Sequence, residues 1–308
     1  MIFRRLASEL EAAAQSELPI KHFVLLLGNP IAYPRLTWLG EFLKSSLFTP
    51  LEFISRYYGP LGALFNRFDG SVRVLDDLDS SYTARAHKKE RDALIKRMQT
   101  IAAANSVRIT ILSGDAHLAA VGRFYSQPAL RIPIEHDHRY MVNVVSSAIV
   151  NKPPPHPKAD VLARLNKVHH LDADTDETLL DLFNKNPGNP SRTAWYNKVI
   201  MPSRNYAMLA ENSPSNQVEC APSSSSAQNS FTLSGKDSHK CLHAGELHAG
   251  TKHKAAGNKH GTGKDGSLDV CILVEMNQYD AEGHTEPFGL TVPSLACRSP
   301  VEDSTQEK

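Results

Sequence analysis

Residues 107–122, VRITILSGDAHLAAVG, form an apolar run that stops at Ser113-Gly114 and then presents Asp115 and His117 with one residue between them. Such a run marks a strand buried on both faces, which requires a sheet covered on both sides. Open α/β sheets place their ligands beyond the carboxyl ends of the strands. The turn after Leu112 is therefore where chemistry is expected. Asp supplies charge to hard cations and His suits first-row transition metals, so the pair fits half of a mixed or two-metal centre. The same residues also have a plain structural reading, with Asp115 capping a following helix and His117 an ordinary surface or core histidine. Spacing alone leaves the two open.

Further elements surround this strand. Ile20–Gly28 (IKHFVLLLG) is a continuous apolar run, predicted as a strand buried on both faces, and Asn143–Val150 (NVVSSAIV) reads as another. Between them, Thr83 to Asn105 is predicted helical, with Leu94, Met98 and Ile101 at helical spacing and KKER as its solvated face. Strand, helix, strand at these lengths points to βαβ units. Residues 36–68 mix Leu, Phe, Trp38, Tyr57 and Tyr58 with Pro and Gly, which suggests short helices packed as a cap. Val72–Leu75 reads as a short strand entering the acidic DDLDSSY. The opening MIFRRLASELEAAA is predicted as an amphipathic helix and not a signal or transit peptide.

Composition removes several function classes. Lys+Arg 34 against Asp+Glu 33 leaves a formal charge of +1, so no nucleic acid or anionic membrane surface is indicated as a partner. The longest apolar candidate, FVLLLGNPIAY, is interrupted by Pro30, and no membrane span is expected. Cys220, Cys241, Cys271 and Cys297 match no zinc spacing and favour a reduced, intracellular and cytoplasmic setting. No P-loop, Gly-x-Gly-x-x-Gly, Gly-x-Ser-x-Gly or His-Glu-x-x-His occurs.

The chain divides into four parts. Residues 1–206 are expected to be globular, and 207–267 to be a disordered linker rich in Ser, His and Gly. Residues 268–296 are expected to form a β-hairpin that packs back on the domain, and 297–308 a disordered tail. Within the globular part, Asp76, Asp77 and Asp79 either cap the helix at Thr83 or, with Tyr82, reach a metal or substrate. His136 to Tyr140 (HDHRY) is expected to be a solvated loop. The pair His169-His170 is a candidate phosphate or metal contact, although neighbouring histidines are more often not ligands. His239, His243, His248, His253 and His260 form a loose tract expected to do no more than bind transition metals weakly.

Taken in order, KHFVLLLGNPIAYPRL, DDLDSSYTARAHKKERDALI, VRITILSGDAHLAAVGRFYS, NVVSSAIVNKPPP and NKVHHLD resemble the C-terminal half of PhoD-like phosphatases, in the branch found in large fungal proteins. LDVCILVEMNQYDAEGHTEPFGL resembles the end of the same domain. The resemblance implies an α/β fold, a partial metallophosphoesterase-type β-sandwich flanked by helices, with the linker and C-terminal hairpin appended. It also implies a phosphoester substrate and a two-metal site holding divalent metal and/or iron. Carried over by position, Asp115 and His117 match the Gly-Asp-x-His metal ligands and are the expected catalytic pair. Asp79 and Tyr82 match the stretch leading into the charged helix; with His169 and His170 they are the expected substrate contacts. A metal-bound hydroxide would attack phosphorus while the cations offset charge on the phosphoryl oxygens.

Family members place further ligands on strands of an N-terminal half, and many metallophosphoesterases carry His where Gly28-Asn29-Pro30 stands here. A truncated phosphatase, weak or inactive as an isolated chain, is therefore expected. The alternative is a non-catalytic interaction or regulatory remnant that engages a protein partner through the linker.

Overall fold

The computed structural model describes residues 2–16, 19–34, 87–147, 149–154, 156–164, 166–189, 197–214 and 242–296. Helix α1 (Ile2–Ala14) precedes β1 (His22–Leu27); helix α2 (Lys88–Asn105) precedes β2 (Arg108–Ser113), β3 (Ala119–Ser126) and β4 (Met141–Val145). Then come α3 (His156–Arg164), β5 (His169–His170), β6 (Thr175–Leu179), β7 (Ile200–Met201), β8 (Asn205–Glu211), β9 (Leu268–Glu275) and β10 (Thr285–Val292). The expected cap at 36–68, the strand at Val72–Leu75, the linker part 215–241 and the tail 297–308 lie outside the described residues.

Among the described residues two sheets form. The first runs β1-β2-β4-β3-β6-β5 with β7 also beside β3; the second runs β10-β9-β8. β1, β2 and β4 are mutually parallel, while β3 is antiparallel to β4 and to β6. The βαβ expectation is met, since β1 and β2 are parallel and α2 leads into β2.

Period-two alternation sends successive side chains of these strands to opposite layers. Ala119, Val121, Tyr125, Val142 and Val144 meet Val270, Ile272, Phe288 and Leu290 of the second sheet. Ile109, Ile111, Phe124 and Met141 meet Ile95, Met98 and Ile101 of α2 and Leu10 of α1 on the other face. A third cluster joins Ala120, Val145 and Leu179 to Ala159 and Leu162 of α3. The result is an α/β sandwich flanked by helices, as the sequence led one to expect.

Four details differ from the sequence reading. β1 is an edge strand whose outer face is open, with Val24 40% and Leu26 73% exposed, so it is not covered on both sides among the described residues. The strand expected at Asn143–Val150 is shorter, because Asn205 turns the chain at Ser146 and Ser147 by hydrogen bonds to the Ser146 hydroxyl and the Ser147 N–H.

The HDHRY loop is not solvated throughout. Asp137 and Tyr140 are buried; Asp137 accepts from the Ser126 N–H and hydroxyl. The buried Arg108 guanidinium donates to the carbonyls of Ile134, Asp137 and Tyr140 at 2.6–2.7 Å, and burial pushes it down to about 10.

The fourth difference is largest. Asn205–Glu211 is a strand, and residues 242–267 of the expected linker are built into the sandwich. Two short helical turns, Ala244–Glu246 and Lys254–Ala256, are capped alike: His243 Nδ1 accepts from Gly245 N–H and His253 Nδ1 from Ala255 N–H. Gly250 and Gly289 exchange backbone hydrogen bonds of 2.9 Å, extending the edge of β10. Glu246 pairs with Arg123 of β3 and accepts from the Tyr140 hydroxyl, which also meets His243 Nε2 at 2.9 Å. At the far end, His22 of β1 lies 2.8 Å from the Gly266 carbonyl through Nε2.

Two predictions follow from this packing. A Cβ on Gly122 would sit 2.3 Å from the Ala32 carbonyl oxygen, where the chain leaving β1 crosses the sheet. Gly122→Ala should therefore destabilise by about 1–3 kcal/mol, read as a lower denaturation midpoint.

Burial pushes His22 and His253 down to about 4 from 6.5. In this window the unfolded chain binds protons that the folded chain refuses, so stability should fall as pH drops from about 6.5 toward 4. Asn in place of His253 keeps an acceptor for the Ala255 N–H. It should flatten that slope by up to about 1.4 kcal/mol per pH unit in denaturant melts across the range.

Candidate functional site

The carboxyl ends of β1, β2 and β4 are held level by backbone hydrogen bonds. Gly114 N–H donates to the Gly28 carbonyl at 3.1 Å, and Ser146 N–H to the Ser113 carbonyl at 2.9 Å. Asn143, fully buried on β4, reinforces the arrangement from inside. Its Oδ1 accepts from the N–H groups of Ile31 and Ala32, and its Nδ2 donates to the Ser113 hydroxyl at 2.8 Å. Asn205 closes the third side, its amide also donating to the Ser147 carbonyl at 2.7 Å. A side-chain amide satisfied on both its oxygen and its nitrogen is a rigid tie inside a low-dielectric core.

On this platform the chain makes the turn Gly114-Asp115-Ala116-His117. Asp115 has φ 64° and His117 φ 53°, so both occupy the left-handed region, and Ala116 N–H donates to the Gly114 carbonyl at 2.8 Å. Left-handed backbone is uncommon for residues other than glycine and persists where the surroundings enforce it; such residues cluster at functional sites. No helix follows the turn: Ala119 begins β3, so Asp115 is not a helix cap. Asp115 is exposed and His117 half-buried.

His117 Nε2 lies 3.2 Å from Asn151 Nδ2. With Asn151 donating, the imidazole carries its proton on Nδ1 and offers that N–H to a neighbour. Turning the Asn151 amide over exchanges the roles and leaves the Nδ1 lone pair for a metal. Among the described residues, no group of three or more His, Cys, Asp or Glu is placed to hold a metal ion. One carboxylate and one imidazole do not complete a cation site, least of all a two-metal one, so the described donors do not by themselves fit that centre.

The other expected site residues fall elsewhere. Asp79 and Tyr82 lie outside the described residues. His169 and His170 form β5, at the opposite edge of the sheet from β1, with β4, β3 and β6 between them and β2. Four strand spacings put them roughly 19 Å from β2. His170 Nδ1 pairs with Asp176 Oδ1 at 2.6 Å, and the register sets that pair near the amino-terminal end of β4. The structure does not bring them beside Asp115 and His117.

Asn143, Asn205 and Asn151 were not singled out from sequence. A lone Asn inside an apolar strand such as MVNVV is the one signal that could have marked Asn143, since a buried amide demands partners.

Comparison with known proteins gives the chain its family. The family described as PhoD related phosphatase matches residues 56–252, a stretch that includes the Gly-Asp-x-His turn. The uncharacterized protein YGR266W of Saccharomyces cerevisiae is 43% identical over 180 residues, which is 53% of this chain and 26% of the yeast protein. The chain thus spans about a quarter of the length of that relative. No solved structure matches. A family match over more than half of the chain settles the relationship: the chain belongs to the PhoD related phosphatases.

Proposed function

We propose that this chain carries part of a phosphoester-hydrolysing site, with Asp115 and His117 as its catalytic pair and as ligands for a divalent metal and/or iron. The observation that carries the reading is the enforced left-handed backbone at both residues, on the turn where three parallel strands end. Metal ions would supply charge neutralisation at the phosphoryl oxygens. This chain's own contribution is a carboxylate open to solvent and an imidazole whose orientation Asn151 sets. Asp79 and Tyr82 belong to the same proposal as substrate contacts.

The finer part of the proposal is that the site is incomplete in this chain as it stands. The two donors found among the described residues cannot hold two cations, and the face of β1 left open among those residues at Val24 and Leu26 supports a sheet that is covered further in the working protein. Among the described residues no helix is long and apolar enough to cross a membrane. A reduced cytoplasmic setting belongs to the same proposal; within the fold, Cys271 is buried, and burial pushes its thiol up to about 11.

Hydrolysis of p-nitrophenyl phosphate and its bis-ester, with Mn²⁺, Mg²⁺, Ca²⁺ or Fe²⁺ added, tests both parts. The chain is expected to turn over slowly. Asp115→Asn and His117→Asn should each remove at least about tenfold of that rate without lowering the melting temperature. Robust turnover abolished by the two variants would overturn the incompleteness but keep the site. Metal-dependent turnover indifferent to both variants would overturn the site.

A further inference from the structure

The loop after β4 runs beside the Gly-Asp-x-His turn and is pinned at both ends. At its base, Asn205 Oδ1 accepts from the Ser146 hydroxyl at 2.9 Å and the Ser147 N–H at 3.0 Å. At its return, the Asn151 amide meets His117 Nε2 at 3.2 Å. Between these anchors stand Ile149 and Val150, 68% and 81% exposed. Lys152, also exposed, follows directly.

Single exposed apolar side chains are ordinary on any surface. Here two adjacent large ones stand on a tip whose base is clamped by a buried amide and whose end bonds the candidate catalytic imidazole, which puts an apolar edge next to a polar turn in the chain. Among the described residues the other strongly exposed apolar side chains are Leu26, at the carboxyl end of β1 beside Leu112, and Tyr279, in the turn between β9 and β10.

We infer that Ile149 and Val150 are specificity-determining residues that receive the apolar part of the substrate. The substrate class is then a phosphate joined to an alkyl or acyl-bearing group, in preference to a small polar sugar phosphate. The inference rests on the reading of Asp115 and His117 as the phosphate end of the site. An alkyl chain laid along the rim would release water from both surfaces, while its phosphate stays at the turn within reach of charge-assisted bonds. A polar alcohol portion would gain nothing from the same two side chains.

Binding of dodecyl phosphate below its micelle concentration, against methyl phosphate as its polar twin, tests the idea by calorimetry and amide NMR with Mg²⁺ present. Dodecyl phosphate should bind at least tenfold more tightly and shift the amides of both 114–118 and 149–151. I149S/V150S, confined to exposed positions, should bring it to the level of methyl phosphate and leave methyl phosphate binding unchanged. Equal affinities in the parent chain, or a preference that survives in the double variant, would overturn the inference and leave the phosphate reading intact. No shift at 114–118 with either probe would overturn the phosphate reading and this inference with it. Flotation on phosphatidylcholine vesicles containing phosphatidic acid separates the sources. Flotation lost in I149S/V150S assigns the apolar part to a lipid in its bilayer, and tight dodecyl phosphate binding without flotation assigns it to a free amphiphile.

Discussion

Arg123 lies on β3, whose eight residues are all buried, and a guanidinium there must find a carboxylate inside the protein. Glu246 supplies it, from a segment more than a hundred residues away in sequence. Burial opposes the charge on Glu246, yet Arg123 first, then His243 and the Leu242 N–H, hold its carboxyl below the usual range. The Tyr140 hydroxyl completes the set by donating to Glu246. Removing either charge would strand the other in the core, which typically costs about 3–5 kcal/mol. Residues 242–257 therefore dock as part of the sandwich, and the chain from there to Gly266 runs on to meet β1 at His22. Everything at the carboxyl edge of the first sheet is mounted on a body closed in this way.

A similar use of buried polar groups builds the candidate site. Asn143 ties the exit of β1 to the end of β2, and Asn205 ties the exit of β4 to the second sheet. These amides fix three chain exits relative to one another, and the turn between β2 and β3 can then hold two residues in left-handed backbone. The link from packing to chemistry runs through these ties. Strain of about 1–3 kcal/mol per such residue persists only where the surroundings over-determine it.

What could be read from the residues was whatever declares itself locally. The apolar runs of β2, β9 and β10, the helical spacing of α2 and the strand-end position of Asp115 and His117 were legible, because periodicity and a Gly stop are local signals. β3 was not, since Gly122, Arg123 and Ser126 break the apolar pattern and find partners elsewhere. The stretch around His243–Gly266, rich in Gly, Lys and His, reads as disordered by composition. Its order comes from Arg123, Tyr140, Gly289 and His22, which no window along the chain can see. The HDHRY loop misled for the same reason, as Arg108 draws its carbonyls inward. That β1 has an open face among the described residues was hidden as well, because an apolar run does not say which segment covers it.

Under our proposal Asp115 and His117, two left-handed residues on one turn, face a common cation. Titration of the isotopically labelled chain with Mn²⁺, followed by amide line broadening, tests it most directly. The account predicts that broadening begins at 114–118 and spreads to 146–151. Broadening that begins instead at the histidines of 243–260 or at the hairpin tip near His284, with 114–118 untouched, would contradict it.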